Sequence, residues 1–91
     1  MELKKIYENE FYKIMNVSLT KGESLPKHKA TSDAFVIVKQ GKGKIIFENR
    51  EIPLQHDSTQ LIPANETHTL EVLEDFRASI ILGKDGDINF S

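Results

Sequence analysis

The side chains of this sequence best suited to chemistry near neutral pH are three histidines, His28, His56 and His68. An imidazole changes charge close to neutrality and is a common metal ligand, so it can serve as acid, base or coordinating group. The chain has no cysteine. A metal site would therefore have to be assembled from imidazoles and carboxylates, and no disulfide can staple the fold. His68 lies in the stretch PANETHTL, residues 63–70, where a proline and a short polar turn lead into an apolar/polar alternation. His28 follows the break KGESLP, which contains Gly22 and Pro26. His56 sits in the polar run QHDS, where a turn and an exposed ring are expected.

The elements that must position these histidines have a period of two. In KIMNVSLT, Met15, Val17 and Leu19 share one face and Asn16, Ser18 and Thr20 the other, the pattern of a half-buried strand. KGESLP then reads as a turn or short crossing segment. Ala34 to Val38 are apolar on both faces, as in a strand covered on both sides. GKG at 41–43 signals a hairpin, KIIFE a strand, and IPL a short strand that Pro53 confines to an edge, because proline cannot donate to a ladder. TQLI, THTLEVLE and RASIIL complete the series. Strands this short, with turn signals every eight to twelve residues, point to an all-β sandwich or barrel. Residues 1–91 read as a single domain, with 1–10 as a strand or short helix and 84–91 as a polar C-terminal tail.

Two stretches match known spacing. GESLPKHKATSDAFVIVKQG contains Gly22, His28 and Gly41, and DSTQLIPANETHTLEV contains Pro63 and His68. Through them the chain resembles the cupin superfamily, small β-barrels of jelly-roll type, over about Gly22 to Val72. The family's first motif is glycine, five residues, His-x-His, three or four residues, glutamate, six residues, glycine. Here Ala30 stands in the second histidine position and Ala34 in that of the glutamate. The second motif is glycine, five residues, Pro-x-Gly, two residues, histidine, three residues, asparagine. Here Asp57 and Asn65 stand for its glycines and Val72 for its asparagine. Asparagine at position 65 is a mild change, since it tolerates left-handed backbone better than most residues. The resemblance implies a cupin-type double-stranded β-helix or jelly-roll barrel.

The resemblance also implies a metal bound by two histidines and a glutamate of the first motif and the histidine of the second. This chain keeps only His28 and His68, and alanine offers no donor atom. That is short of both the two-His-one-carboxylate set of non-haem iron and the three protein ligands of catalytic zinc. Asp33 is one step from Ala34 and so points to the opposite face, Glu66 lies in a turn, and Glu23 sits in another turn. No cofactor is expected, with a divalent metal on His28 and His68 alone as the alternative.

His28 and His68 are then either a satisfied polar pair at the mouth of an apolar pocket or anchors for a small ligand there. Catalysis is the third option, but no acidic residue is placed to orient either ring, and no catalytic residue is assigned. The expected function is small-molecule binding in the barrel pocket without a full metal site. The alternatives are a metal-dependent or metal-free enzyme, dioxygenase- or isomerase-like, using His28 and His68, and a structural dimer with a vestigial pocket.

The strand AFVIVK directs Phe35 and Ile37 away from the motif face. Apolar residues on that outer face predict a homodimer burying Phe35 and Ile37, unless the N-terminal segment covers them within one chain. Twelve basic and fourteen acidic residues, spread along the chain for a net charge of −2, leave no basic footprint for nucleic acid. No run is long enough to span a bilayer, and the start has no signal-peptide core, so no membrane association and a cytoplasmic location are expected.

Overall fold

The computed structural model describes residues 1–90. They form ten strands: β1 (Glu2–Glu8), β2 (Tyr12–Leu19), β3 (Ser24–Ala30), β4 (Ala34–Gln40), β5 (Lys42–Phe47), β6 (Glu51–Gln55), β7 (Thr59–Ile62), β8 (His68–Val72), β9 (Phe76–Gly83) and β10 (Ile88–Phe90). These make two five-stranded antiparallel sheets, ordered β1-β2-β9-β4-β7 and β10-β3-β8-β5-β6. The chain crosses repeatedly between the sheets, as in a jelly roll, and no helix occurs among the described residues.

Alternation decides what lies between the sheets. Val17 and Leu19 of β2, Val36 and Val38 of β4, Ile45 and Phe47 of β5, and Phe76, Ala78 and Leu82 of β9 all point inward and are buried. Ile81 takes the outer face between its buried neighbour Leu82 and the partly buried Ile80 that packs on the core. Pro53 lies on β6, at an edge of its sheet, as its missing N–H requires.

Three segments differ from the sequence expectation or complete it. The turn expected at KGESLP is present at Lys21–Gly22, but Ser24–Pro26 already belong to β3, whose pairing with β8 shifts register between Leu25 and His28. Pro26 lies within that shift, so the residue that reads as a break is absorbed as an irregularity in a continuous strand. Residues 1–10 supply an edge strand, β1, which pairs with β2. In the segment expected as a tail, Ile88 packs against the core and Ile88–Phe90 pair with Ala30–His28; its last residue, Ser91, lies outside the described residues.

Among the described residues four hold positive φ: Gly22 and Gly41 at 87°, Asp57 at 71° and Asn65 at 64°. These are the four positions where the two motifs place glycine, so left-handed backbone falls on the motif positions even where the residue has changed. Gly22, Gly41 and the β8–β9 turn gather at one end of the barrel, where Gly22 N–H donates to Val72 O and Lys21 N–H to the Asp75 carboxylate. β5 and β8 then run together to the other end, where Phe47 pairs with His68.

Candidate functional site at the open end of the barrel

At that second end β3 and β8 place His28 directly opposite His68 in the ladder. The rings meet edge to face, with centroids 4.2 Å apart and planes at 62°. Both residues are only 6% exposed. His28 Nδ1 lies 2.6 Å from the Pro26 carbonyl oxygen and His68 Nδ1 2.8 Å from that of Glu66. A carbonyl can only accept, so each Nδ1 carries the proton and each Nε2 presents a bare lone pair. Burial pushes both imidazoles below the usual histidine range, against the raising effect of the Nδ1 bonds. His28 is lowered further by its neighbour His68, whereas the Glu66 carboxylate acts on His68 in the raising direction. The pair is therefore neutral at neutral pH. Neither Nε2 bonds to another described residue, and no described side-chain nitrogen or oxygen is both buried and unpartnered. The two lone pairs are thus open to a small donor.

The irregular stretch before His28 has a function in this geometry: the Pro26 carbonyl turns to meet the ring two residues on. The loop before His68 is fixed from below. Asn65 N–H donates to Ala30 O at 2.7 Å, and Ala64 N–H to the Asp33 carboxylate at 2.8 Å. Asp33 is thereby engaged as a loop anchor. Glu23 is engaged at the opposite end, where it accepts from the Thr20 N–H and hydroxyl and from the terminal amine, which together lower its pKa to about 2. His56 is exposed beside Asp57. Ala30 and Ala34 are buried in the core.

Among the described residues no three histidine or carboxylate side chains come together as a metal site. The donor set does not fit the metal that the resemblance implies, because two imidazole nitrogens meet at the open end without a carboxylate or third histidine.

The interior of the barrel differs from an open pocket. Val17, Leu25, Val36, Ile45 and Phe76 close in beneath the two histidines and leave a cavity of about 40 Å³. That is room for water, well below the roughly 300 Å³ at which small-molecule pockets begin. The larger space is outside, an open cleft of about 1100 Å³ lined by Lys27, Asn49, Asn65, Glu66, Thr67 and His68, among others. His68 lines both spaces.

Three further residues complete this end, and none was singled out by sequence reasoning. Arg50 lies over the Phe47 ring, with its guanidinium carbon 3.9 Å from the centroid, and forms a forked pair with Glu66 at 2.7 and 2.9 Å. The Phe47 ring in turn packs on His68, 5.6 Å between centroids. The Phe47 N–H donates to Arg50 O, so the tight turn at 48–49 sets the two residues face to face. That turn is the signal in the sequence that could have paired them. Phe90 of β10 covers the outer side of His28 at 5.5 Å.

The family model described as Cupin domain matches residues 15–82. No curated protein matches the chain. A cupin 2 conserved barrel domain protein from Leptotrichia buccalis is similar at 32% identity and a TM-score of 0.81, covering 91% of this chain and 40% of its own. A cupin-2 domain containing protein from Shewanella frigidimarina shares 24% identity at a TM-score of 0.79, covering 90% of this chain and 79% of its own. The DMSP lyase of Ruegeria pomeroyi shares 15% identity at a TM-score of 0.77, covering 85% of this chain and 40% of its own. At 24% and 15% identity the likeness is one of fold.

Proposed function

The chain belongs to the cupin domain family, and from that premise we propose that it binds a small molecule at the open end of the barrel, against His68 and His28, without a full metal site. The observation that carries this reading is the pair of neutral imidazoles whose bare Nε2 atoms have no partner among the described residues, His28 lining the filled interior and His68 the boundary between that interior and an open polar cleft. Preset acceptors of this kind orient a ligand that brings a hydroxyl or N–H donor. Because the interior holds only about 40 Å³, the ligand sits at the mouth.

The test is a thermal-shift screen of neutral and anionic metabolites on metal-stripped protein. A ligand at a hundredfold excess over its Kd stabilises by about 2.7 kcal/mol, and that shift is expected to disappear in His68→Ala. No shift with any compound sinks the reading. Metal analysis of protein purified without added metal is the companion measurement. Stoichiometric metal lost in both His28→Ala and His68→Ala would instead favour a metal-dependent enzyme.

A separate observation supports a homodimer. On the outer face of the β1-β2-β9-β4-β7 sheet, Tyr7, Ile14, Ile81, Phe35 and Leu61 are successive register partners, one apolar residue on each strand. Tyr7 is 50%, Phe35 39% and Leu61 49% exposed. Ile37 stands one row over, between Ser79 and Thr59. β1 extends this face by contributing Tyr7 and does not lie across it. A contiguous row of this kind is the sort of patch that a partner covers, and a second copy meeting it about a two-fold axis buries Phe35 and Ile37. Phe35→Asp is expected to run at the mass of one chain in light scattering where the wild type runs at two; an unchanged mass would remove Phe35 from the interface.

A further inference from the structure

We infer that the open end of the barrel is a carboxylate site, in which the carboxylate of a small hydroxy or amino acid replaces Glu66 on the Arg50 guanidinium. This rests on the reading that a small molecule binds beside His68, and it names the ligand's chemical class.

Arg50 is held independently of Glu66. Its guanidinium lies on the Phe47 ring, and stacking of this kind orients the planar fork. The fork is filled by a carboxylate from the chain itself, one oxygen on each terminal nitrogen at 2.7 and 2.9 Å. Glu66 thus reports what the position accepts: a planar anion with two oxygens presented side by side. The pair is exposed, with side chains at 41% and 32% of full accessibility. Exposed ion pairs contribute little to stability, so exchanging one carboxylate for another on the same fork is nearly even.

A ligand gains from the exchange what Glu66 cannot. Glu66 is tied two residues from His68 and makes no hydrogen bond to either Nε2. A free molecule can place its carboxylate on Arg50 and its hydroxyl or amine on the bare Nε2 of His68, since both residues pack against the Phe47 ring. Lys27 lines the same cleft and has no ion-pair partner among the described residues, while Glu48 lines it with opposite charge and favours a single carboxylate over a polyanion. Release of the Glu66 side chain leaves His68 in place, because its Nδ1 is held by the Glu66 backbone carbonyl. Glu66 is thereby a displaceable internal occupant of the site.

The test uses mandelate, a hydroxy acid, and its neutral amide, mandelamide, titrated by NMR into the full chain. Mandelate is expected to shift the Arg50 Nε–H and the His68 ring signals together. Its affinity should rise about threefold in Glu66→Gln, where the internal competitor is gone, and fall about tenfold or more in Arg50→Gln. Glu66→Gln changes an exposed side chain, and a wild-type titration reads out independently of either variant. Equal binding of mandelamide, unaffected by Arg50→Gln, would overturn the carboxylate class and leave the mouth as the binding site. Mandelate affinity unchanged in Glu66→Gln would overturn the exchange. No binding of either compound, together with a blank metabolite screen, would overturn both readings.

Discussion

Gly41→Ala is expected to cost about 3 kcal/mol or more of folding stability, out of the roughly 5–14 kcal/mol typical for a chain of this length. Two effects add at this position. The backbone sits at φ 87°, where an L side chain costs about 1–2 kcal/mol. A Cβ would also overlap the Asp75 carbonyl oxygen and come within 2.8 Å of its carbon and 3.0 Å of the Phe76 Cα. These are backbone atoms next to one of the most buried side chains, Phe76 at 1% exposure, so nothing nearby can give way cheaply. Gly22→Ala is the control. It has the same φ of 87° but nothing within 4 Å of the added carbon, so only the backbone penalty of about 1–2 kcal/mol applies. Urea unfolding midpoints compare the two. Equal losses would mean that the β8–β9 turn relaxes freely and does not clamp this end of the barrel.

Mild acid is expected to act on the other end. Both histidines titrate below the 6.5 usual for the residue, chiefly because burial disfavours the charged ring. The unfolded chain therefore takes up protons first as pH falls, and proton uptake by the unfolded state lowers stability. The contribution is fully present above pH 6.5 and is lost as pH falls through the two lowered folded values. The second proton is the harder one. Two unit charges at the 4.2 Å centroid separation repel by about 4 kcal/mol at an effective dielectric constant of 20. A doubly charged pair therefore has to separate, open to water or draw Glu66 away from Arg50. Chemical denaturation at steps between pH 7.5 and 5.5 should show stability falling, and the fall should flatten in a His28→Gln/His68→Gln double variant. A wild-type profile as flat as that of the double variant would mean that the rings are hydrated in the folded state.

Much of this molecule was legible in the sequence because β-structure writes its pattern locally. The period-two alternation set Val17 and Leu19 on one face of their strand and Val36 and Val38 opposite Phe35 and Ile37, since successive side chains on a strand must point opposite ways. Pro53 was confined to an edge by its missing N–H. The left-handed turns followed from Gly22 and Gly41 and from asparagine's tolerance of αL at Asn65, which adopts φ 64°. The missing donors at Ala30 and Ala34 needed no structure at all. The strand spacing, the turn positions and the incomplete ligand set were thus properties of the amino-acid sequence by itself.

The tertiary structure decided what depends on closure of the barrel. Residues forty positions apart, His28 and His68, become ladder partners through the pairing of β3 with β8, and no local pattern carries an inter-strand register. The same closure brings Glu66 to Arg50, makes the Pro26 carbonyl a ring acceptor, and adds Ile88–Phe90 as a strand over His28. Side-chain volumes summed across two sheets also set the interior at about 40 Å³. Such a sum is fixed only when both inner faces meet, and it leaves the larger space at the mouth of the barrel and not inside it.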